Sequence, residues 1–119
     1  MTDKAKRWAM VLHLSLYSFL LGGIGQVIVP ILIWQIKKNE LPEIDLHGKA
    51  VANWAISGFL YLLLLSVLLS APLSDELKAP IYFLIPLIGG CVVIFPLIGT
   101  FQASGGKVWE YPLSIPFFR

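Results

Sequence analysis

Few residues of this chain could do chemistry, and most are histidines, amides and hydroxyls set among apolar neighbours. His13 stands with Tyr17 one turn on and Ser15 and Ser18 beside it. An ionisable ring at membrane depth reads as a proton or ion site. Because Arg7 is close behind it, His13 reads equally as a ring near the interface, bonded to a neighbour. Gln26 and Pro30 are four apart. Pro30 has no N–H, so the carbonyl of Gln26 loses its helical partner. Such a carbonyl lines a water or substrate path, or marks a kink packed against another helix. His47-Gly48-Lys49 leads into a second apolar stretch, in which Asn53, Ser57 and Tyr61 recur every fourth residue. That spacing places three polar groups on one helix face, as glue between helices or as the wall of a polar pathway.

The remaining candidates point away from catalysis. All seven carboxylates, Asp3, Glu40, Glu43, Asp45, Asp75, Glu76 and Glu110, lie outside the apolar stretches. No Ser/His/Asp set, phosphate loop or zinc spacing is present. Cys91 is the one cysteine, so no intramolecular disulfide forms, and it reads as a small apolar residue in a helix. The expectation is a non-enzymatic protein with no catalytic, cofactor or metal site. Nine Lys/Arg against seven Asp/Glu give +2, too little for a nucleic-acid footprint.

The elements that carry these residues are set by charge-free runs. The chain has 119 residues, 57% of them hydrophobic and only 13% charged, with a mean hydropathy of +0.79. Trp8–Ile36, Ala50–Ser74 and Ala79–Gly106 contain no charged side chain. A soluble helical domain would carry charges down one side of each helix. The composition therefore predicts an all-α, small polytopic membrane protein with membrane lipids around it. A hydrocarbon core of about 30 Å takes roughly 20 helical residues. The second run fits one span, over 50–72. The third, broken by Pro86, Gly89-Gly90 and Pro96, fits one bent span over 80–103, with residues 104–119 as a cytoplasmic tail.

The first run is long for one crossing and short for two, and Gly22-Gly23-Ile24-Gly25 lies at its centre, where a turn needs permissive backbone. Charge decides between the options. If residues 8–36 form a helical hairpin, eight of the nine Lys/Arg share one side and only Lys78 lies opposite. A single span would split them four against five. The positive-inside rule favours the hairpin, with both termini cytoplasmic in a multi-pass protein of the cell membrane. Trp8, Trp34, Trp54 and Trp109 lie near run ends, where indoles meet headgroups. The basic N-terminus before an apolar stretch mimics a signal peptide, but no good cleavage site follows. Hairpin arms this short would thin the bilayer locally.

Three stretches together resemble a known family. They are His13-Leu-Ser-Leu; Pro30-Ile-Leu-Ile-Trp34-Gln-Ile-Lys-Lys38 followed by Leu46-His47-Gly48-Lys49-Ala50 and Asn53-Trp54; and Gly105-Gly-Lys-Val-Trp-Glu-Tyr111-Pro112-Leu113. Their order is similar to small prokaryotic Tic-twenty-like membrane proteins of unknown function, related to a chloroplast inner-envelope import component. The resemblance spans about residues 8–119, with Trp34, Gly48, Tyr111 and Pro112 as its motif positions. It implies four membrane helices, and only by analogy a part in translocation. The tail departs from the pattern at Pro116.

The function expected from these features is an accessory or assembly subunit of a membrane complex, possessing a protein partner or self-associating, and assisting protein or lipid movement through the thinned region. The alternative is an autonomous homo-oligomeric channel or small transporter built around Gln26, Pro30, Asn53 and Ser57.

Overall fold

The computed structural model describes all residues, Met1 to Arg119, and contains four α-helices and no strand. Helix α1 (Asp3–Leu14) starts where the Thr2 hydroxyl accepts from the Ala5 N–H at 3.1 Å. Such a cap satisfies one of the amides that a helix start leaves free. The helix then tightens into a 3-10 segment, Ser15–Leu21. Two serines turn back on the main chain there, Ser15 to the Leu12 carbonyl and Ser18 to that of Ser15, and such bonds compete with regular helix.

The chain reverses at Gly22, whose φ of 137° suits only glycine. Helix α2 (Gly25–Lys37) then returns antiparallel. The first run is therefore a hairpin, as its charge distribution predicts. Helix α3 (Asp45–Ser70) follows a one-turn 3-10 segment, Pro42–Ile44. Helix α4 (Asp75–Ser104) is capped by Ser74 and continues unbroken through Pro80, Pro86 and Pro96. Both long helices begin ahead of their charge-free runs with acids in the first turn, Asp45 in α3 and Asp75 and Glu76 in α4, where they suit the positive end of the helix dipole.

Helices α1 and α4, and α2 and α3, pack antiparallel, while α1 meets α3 running in the same direction. Along α1 and α4, Lys6 lies beside Gly106, His13 beside Gly99, and the Tyr17 hydroxyl donates to the Val93 carbonyl. Along α2 and α3, Gln26 donates to the Ala55 carbonyl at 3.1 Å, and the Trp34 indole lies flat against Gly48. The N-terminus, the α2–α3 loop and the end of α4 consequently share one end of a molecule 54 × 26 × 22 Å in extent. Lys4 and Lys37 both bind Glu40 there, at 2.6 and 3.2 Å, and Lys49 binds Asp45 at 3.1 Å.

The core gathers at this charged end. In α3 the residues from His47 to Gly58 are nearly all buried, and beyond them only Leu65 is. Leu63, Leu64 and Val67 of α3, with Phe83, Ile94, Leu97 and Phe101 of α4, face outward. Counting Pro42–Ile44 with α3, the two long helices hold 29 and 30 residues and are long and apolar enough to cross a membrane. Helix α2 has 13 residues, about 20 Å at 1.5 Å per residue, and falls short of a full crossing.

The tryptophans depart from the interfacial expectation. Trp34 and Trp54 are buried within the protein. The reason is steric: Gly48 offers a surface with no Cβ on which an indole lies, and the Trp34 Nε1–H finds Asp45 Oδ1 at 2.9 Å. A Cβ at position 48 would overlap that ring. Gly48→Ala is therefore expected to destabilise the fold by about 1–3 kcal/mol, read from the unfolding midpoint in detergent; an unchanged midpoint would refute the contact.

Glu40 gives a pH prediction. Hydrogen bonds from Lys4 and then Lys37 hold its carboxyl below the usual carboxylate range. A depressed carboxyl contributes stability above its unfolded value of about 4.3, and the contribution disappears as pH falls through the lower folded value. Wild type should unfold later than Glu40→Gln at neutral pH, and the two should converge in acid. Added salt should narrow the gap at neutral pH, since the pair is exposed.

Candidate functional site

Residues after α4 fold back into the bundle. Gly105 ends the helix, and Gly106, with φ at 80°, turns the chain so that it runs back along α4. Trp109 reaches the ring of Phe95, 5.5 Å away and edge-on. Tyr111 then enters the core, 4% exposed, stacked on His13 and on Trp54 at centroid distances of 5.6 and 5.9 Å. Gly99 makes this seat possible, because a Cβ there would strike both the Tyr111 hydroxyl and the His13 ring.

After Tyr111 the chain reverses at Pro112-Leu113, where Pro112 is exposed and Leu113 takes a positive φ of 68°. It then descends antiparallel to α3, and the polar stripe receives it. The Tyr61 hydroxyl donates to the Leu113 carbonyl. The Ile115 N–H donates to Ser57 Oγ at 2.8 Å. Asn53 makes a paired contact: its Nδ2 donates to the Phe118 carbonyl at 3.0 Å, and the Phe118 N–H donates to its Oδ1 at 2.8 Å. Phe118 meets the Trp34 ring edge-on at 5.2 Å.

The four-residue spacing of Asn53, Ser57 and Tyr61 thus matches an extended main chain lying along the helix. Tyr61 stands eleven residues into the charge-free run, about 16 Å along the helix axis. Main-chain groups placed there against apolar helices need protein partners. The three side chains supply them.

Behind this seat lies a buried polar chain. His13 Nδ1 and the Tyr111 hydroxyl are 2.5 Å apart, and His13 Nε2 and His47 Nδ1 are 3.2 Å apart. Both histidines have no exposed surface. The chain stops at His47 Nε2, which is buried and bonded by no protein group. Two neutral imidazoles support this line in either sense. In one, Tyr111 donates inward and His47 Nε2 carries the last hydrogen; in the other, each donor and acceptor role is reversed.

The structure therefore brings His13, His47 and Tyr111 into one cluster and Asn53, Ser57 and Tyr61 into another. Gln26 and Pro30 join neither; both are buried on α2, where Gln26 reaches the Ala55 carbonyl. Of the loop acids near His47, Asp45 binds Trp34 and Lys49, and Glu43 accepts from the Thr2 N–H at 3.0 Å. Sequence reasoning passed over Phe118, Ile115 and Leu113, which take part through main-chain atoms that no side-chain pattern marks.

Asn53→Leu removes both partners of Phe118 and leaves its main chain unpaired. The tail should loosen by about 1–3 kcal/mol, so hydrogen exchange over residues 113–118 should rise about tenfold or more. Unaltered exchange, measured by mass spectrometry in detergent, would show that Asn53 does not hold the tail.

No curated protein matches the chain, and no solved structure does. A family model described as the magnetosome magnetite crystal formation protein family, MamF/MmsF, matches residues 4–118. This overturns the resemblance to Tic-twenty-like proteins. Three of the four motif positions behind that resemblance serve local packing: Trp34 lies on Gly48, and Tyr111 fills the space over Gly99. Short motifs made of helix-contact residues recur wherever small membrane helices pack closely. The match extends over nearly the whole chain, so this small membrane protein belongs to the MamF/MmsF family of magnetosome magnetite crystal formation proteins.

Proposed function

We propose that this protein is a non-enzymatic accessory or assembly subunit of a membrane complex that takes part in magnetite crystal formation. It sits multi-pass in the magnetosome membrane, with both termini on the cytoplasmic side. One observation carries the reading: the polar stripe Asn53, Ser57 and Tyr61 is bonded to the protein's own tail. A stripe so occupied holds the tail against α3, which supports a packing role over a homo-oligomeric channel lined by the same residues. The outward apolar faces of α3 and α4 suit lipid or a helical partner. The gathering of basic residues at one end supports the stated orientation.

Two measurements test this. In a magnetosome-forming bacterium lacking its own family member, expression of this chain should restore crystal formation. Crosslinking in that membrane followed by mild-detergent purification should then retain a second protein, or further copies of this one, in fixed stoichiometry. Restored crystals with only the isolated monomer recovered would remove the subunit reading. Proton or ion flux through the purified protein in liposomes, abolished by Asn53→Leu, would replace it with the channel.

A further inference from the structure

We propose that the C-terminal tail, residues 107–119, is an acid-released latch, held while His13 and His47 are neutral and let go when the pair takes up a proton. The inference stands apart from the subunit reading and rests on three features of the buried cluster.

The first is the absence of an anion beside the pair. From the tail, the groups near it are the Tyr111 phenol and Glu110, whose side chain lies outward. From α3 and the 3-10 turn before it they are Glu43, exposed and accepting from the Thr2 N–H, Asp45, already bound by Trp34 and Lys49, and Lys49 itself. From α1 and its 3-10 extension they are Lys6, turned toward Gly106, and Tyr17, whose hydroxyl is on Val93. From α2 they are Lys37 and Lys38, lying over Trp8 and Trp34. Helix α4 presents Gly99 and carries no charged residue between Lys78 and Lys107. A proton added to either ring thus places an unpaired charge in a site with no exposed surface, an arrangement proteins avoid at a cost of several kcal/mol.

The second feature is the route by which water reaches that charge. Tyr111 covers His13 from the tail side, and the tail leaves α4 through Gly105-Gly106. Swinging the tail outward on these glycines uncovers His13 Nδ1 without moving any of the four helices. The third is the way the tail is held. Besides the Tyr111 ring on His13 and Trp54, Phe118 on Trp34 and Trp109 on Phe95, the tail is bonded to α3 by four hydrogen bonds to its main-chain atoms. Water replaces each of these once the segment has swung past the charged end, clear of the apolar faces of the helices.

Release would expose Asn53, Ser57 and Tyr61 together with the groove of about 630 Å³ now bordered by Leu46, Lys49, Asn53 and the tail. The latch therefore controls whether this polar face of α3 is closed by the protein itself or open to a partner.

The test uses the full chain in lipid nanodiscs, with Cys91→Ser and nitroxide labels at Leu46→Cys and Pro116→Cys, two exposed positions lining the groove, one on α3 and one on the tail. At about pH 8 the label distance should be short and narrow. It should become long and broad as the pH falls below about 5, across the range in which imidazole takes up a proton. Helical circular dichroism should stay constant. His47→Gln, which keeps a hydrogen-bonding side chain but cannot titrate, should move release to lower pH. His13→Gln with His47→Gln should abolish it. Asn53→Leu, which weakens docking without touching the histidines, should move release to higher pH by about half a unit to one unit. A wild-type distance unchanged down to about pH 4 would overturn the latch. So would release at the same pH in the double glutamine variant, or loss of helix in step with the distance change.

Discussion

A peptide chain laid against apolar helices must find partners for its N–H and C=O groups inside the protein, and residues 107–119 meet that constraint on α3. Asn53, Ser57 and Tyr61 bind the main chain of Phe118, Ile115 and Leu113 along one helix face. The rest of the charged end depends on this docking. Tyr111 reaches His13 just before the tail turns at Leu113 onto the stripe. Trp54, Phe95, Trp109 and Tyr111 form one aromatic cluster only because the tail delivers two of its four rings.

Close approach is the second requirement, and small residues provide it at chosen heights. Gly48 admits Trp34, Gly99 admits His13 and Tyr111, and Ala5 and Ala9 of α1 are fully buried. These positions lie toward the charged end, where α1, α2 and the tail all join the two long helices. At the opposite end the hairpin tip has stopped, and the exposed Leu20 and Leu21 mark its limit. The protein is thus thick at one end and reduced to α3 and α4 at the other. That asymmetry follows from an α2 too short to match its neighbours.

Much of this was legible in the residues. Three charge-free runs, a Gly-rich centre in the first, and the basic residues biased to one side led to a four-helix protein with an N-terminal hairpin, and the helices lie in that order. The stripe was legible as a face, since i, i+4 spacing fixes direction on a helix. Its occupant was not. The tail contributes carbonyls and amides, which every residue has, so nothing in Leu113, Ile115 or Phe118 announces the contact. Trp34 and Trp54 misled for a related reason: an indole near the end of an apolar run fits a headgroup belt and a protein core equally well until the neighbouring glycine is placed beside it. The family assignment failed on short motifs whose residues are chosen by packing, which unrelated small membrane proteins share.

The polar groups within the bundle show where the structure leaves something unfinished. Gln26, Asn53, Ser57 and Tyr61 all end on main-chain partners within the protein. His13 is bonded on both nitrogens, and only His47 Nε2 is buried with no protein partner. Native interiors contain few such groups, since each costs about 1–3 kcal/mol against a satisfied one. Here the unsatisfied atom is the inner end of a chain whose outer end is a residue of the hinged tail. The local penalty and the movable segment are therefore joined by two hydrogen bonds. Stability at the cluster depends on the tail staying in place, and the tail in turn is held most deeply by the cluster.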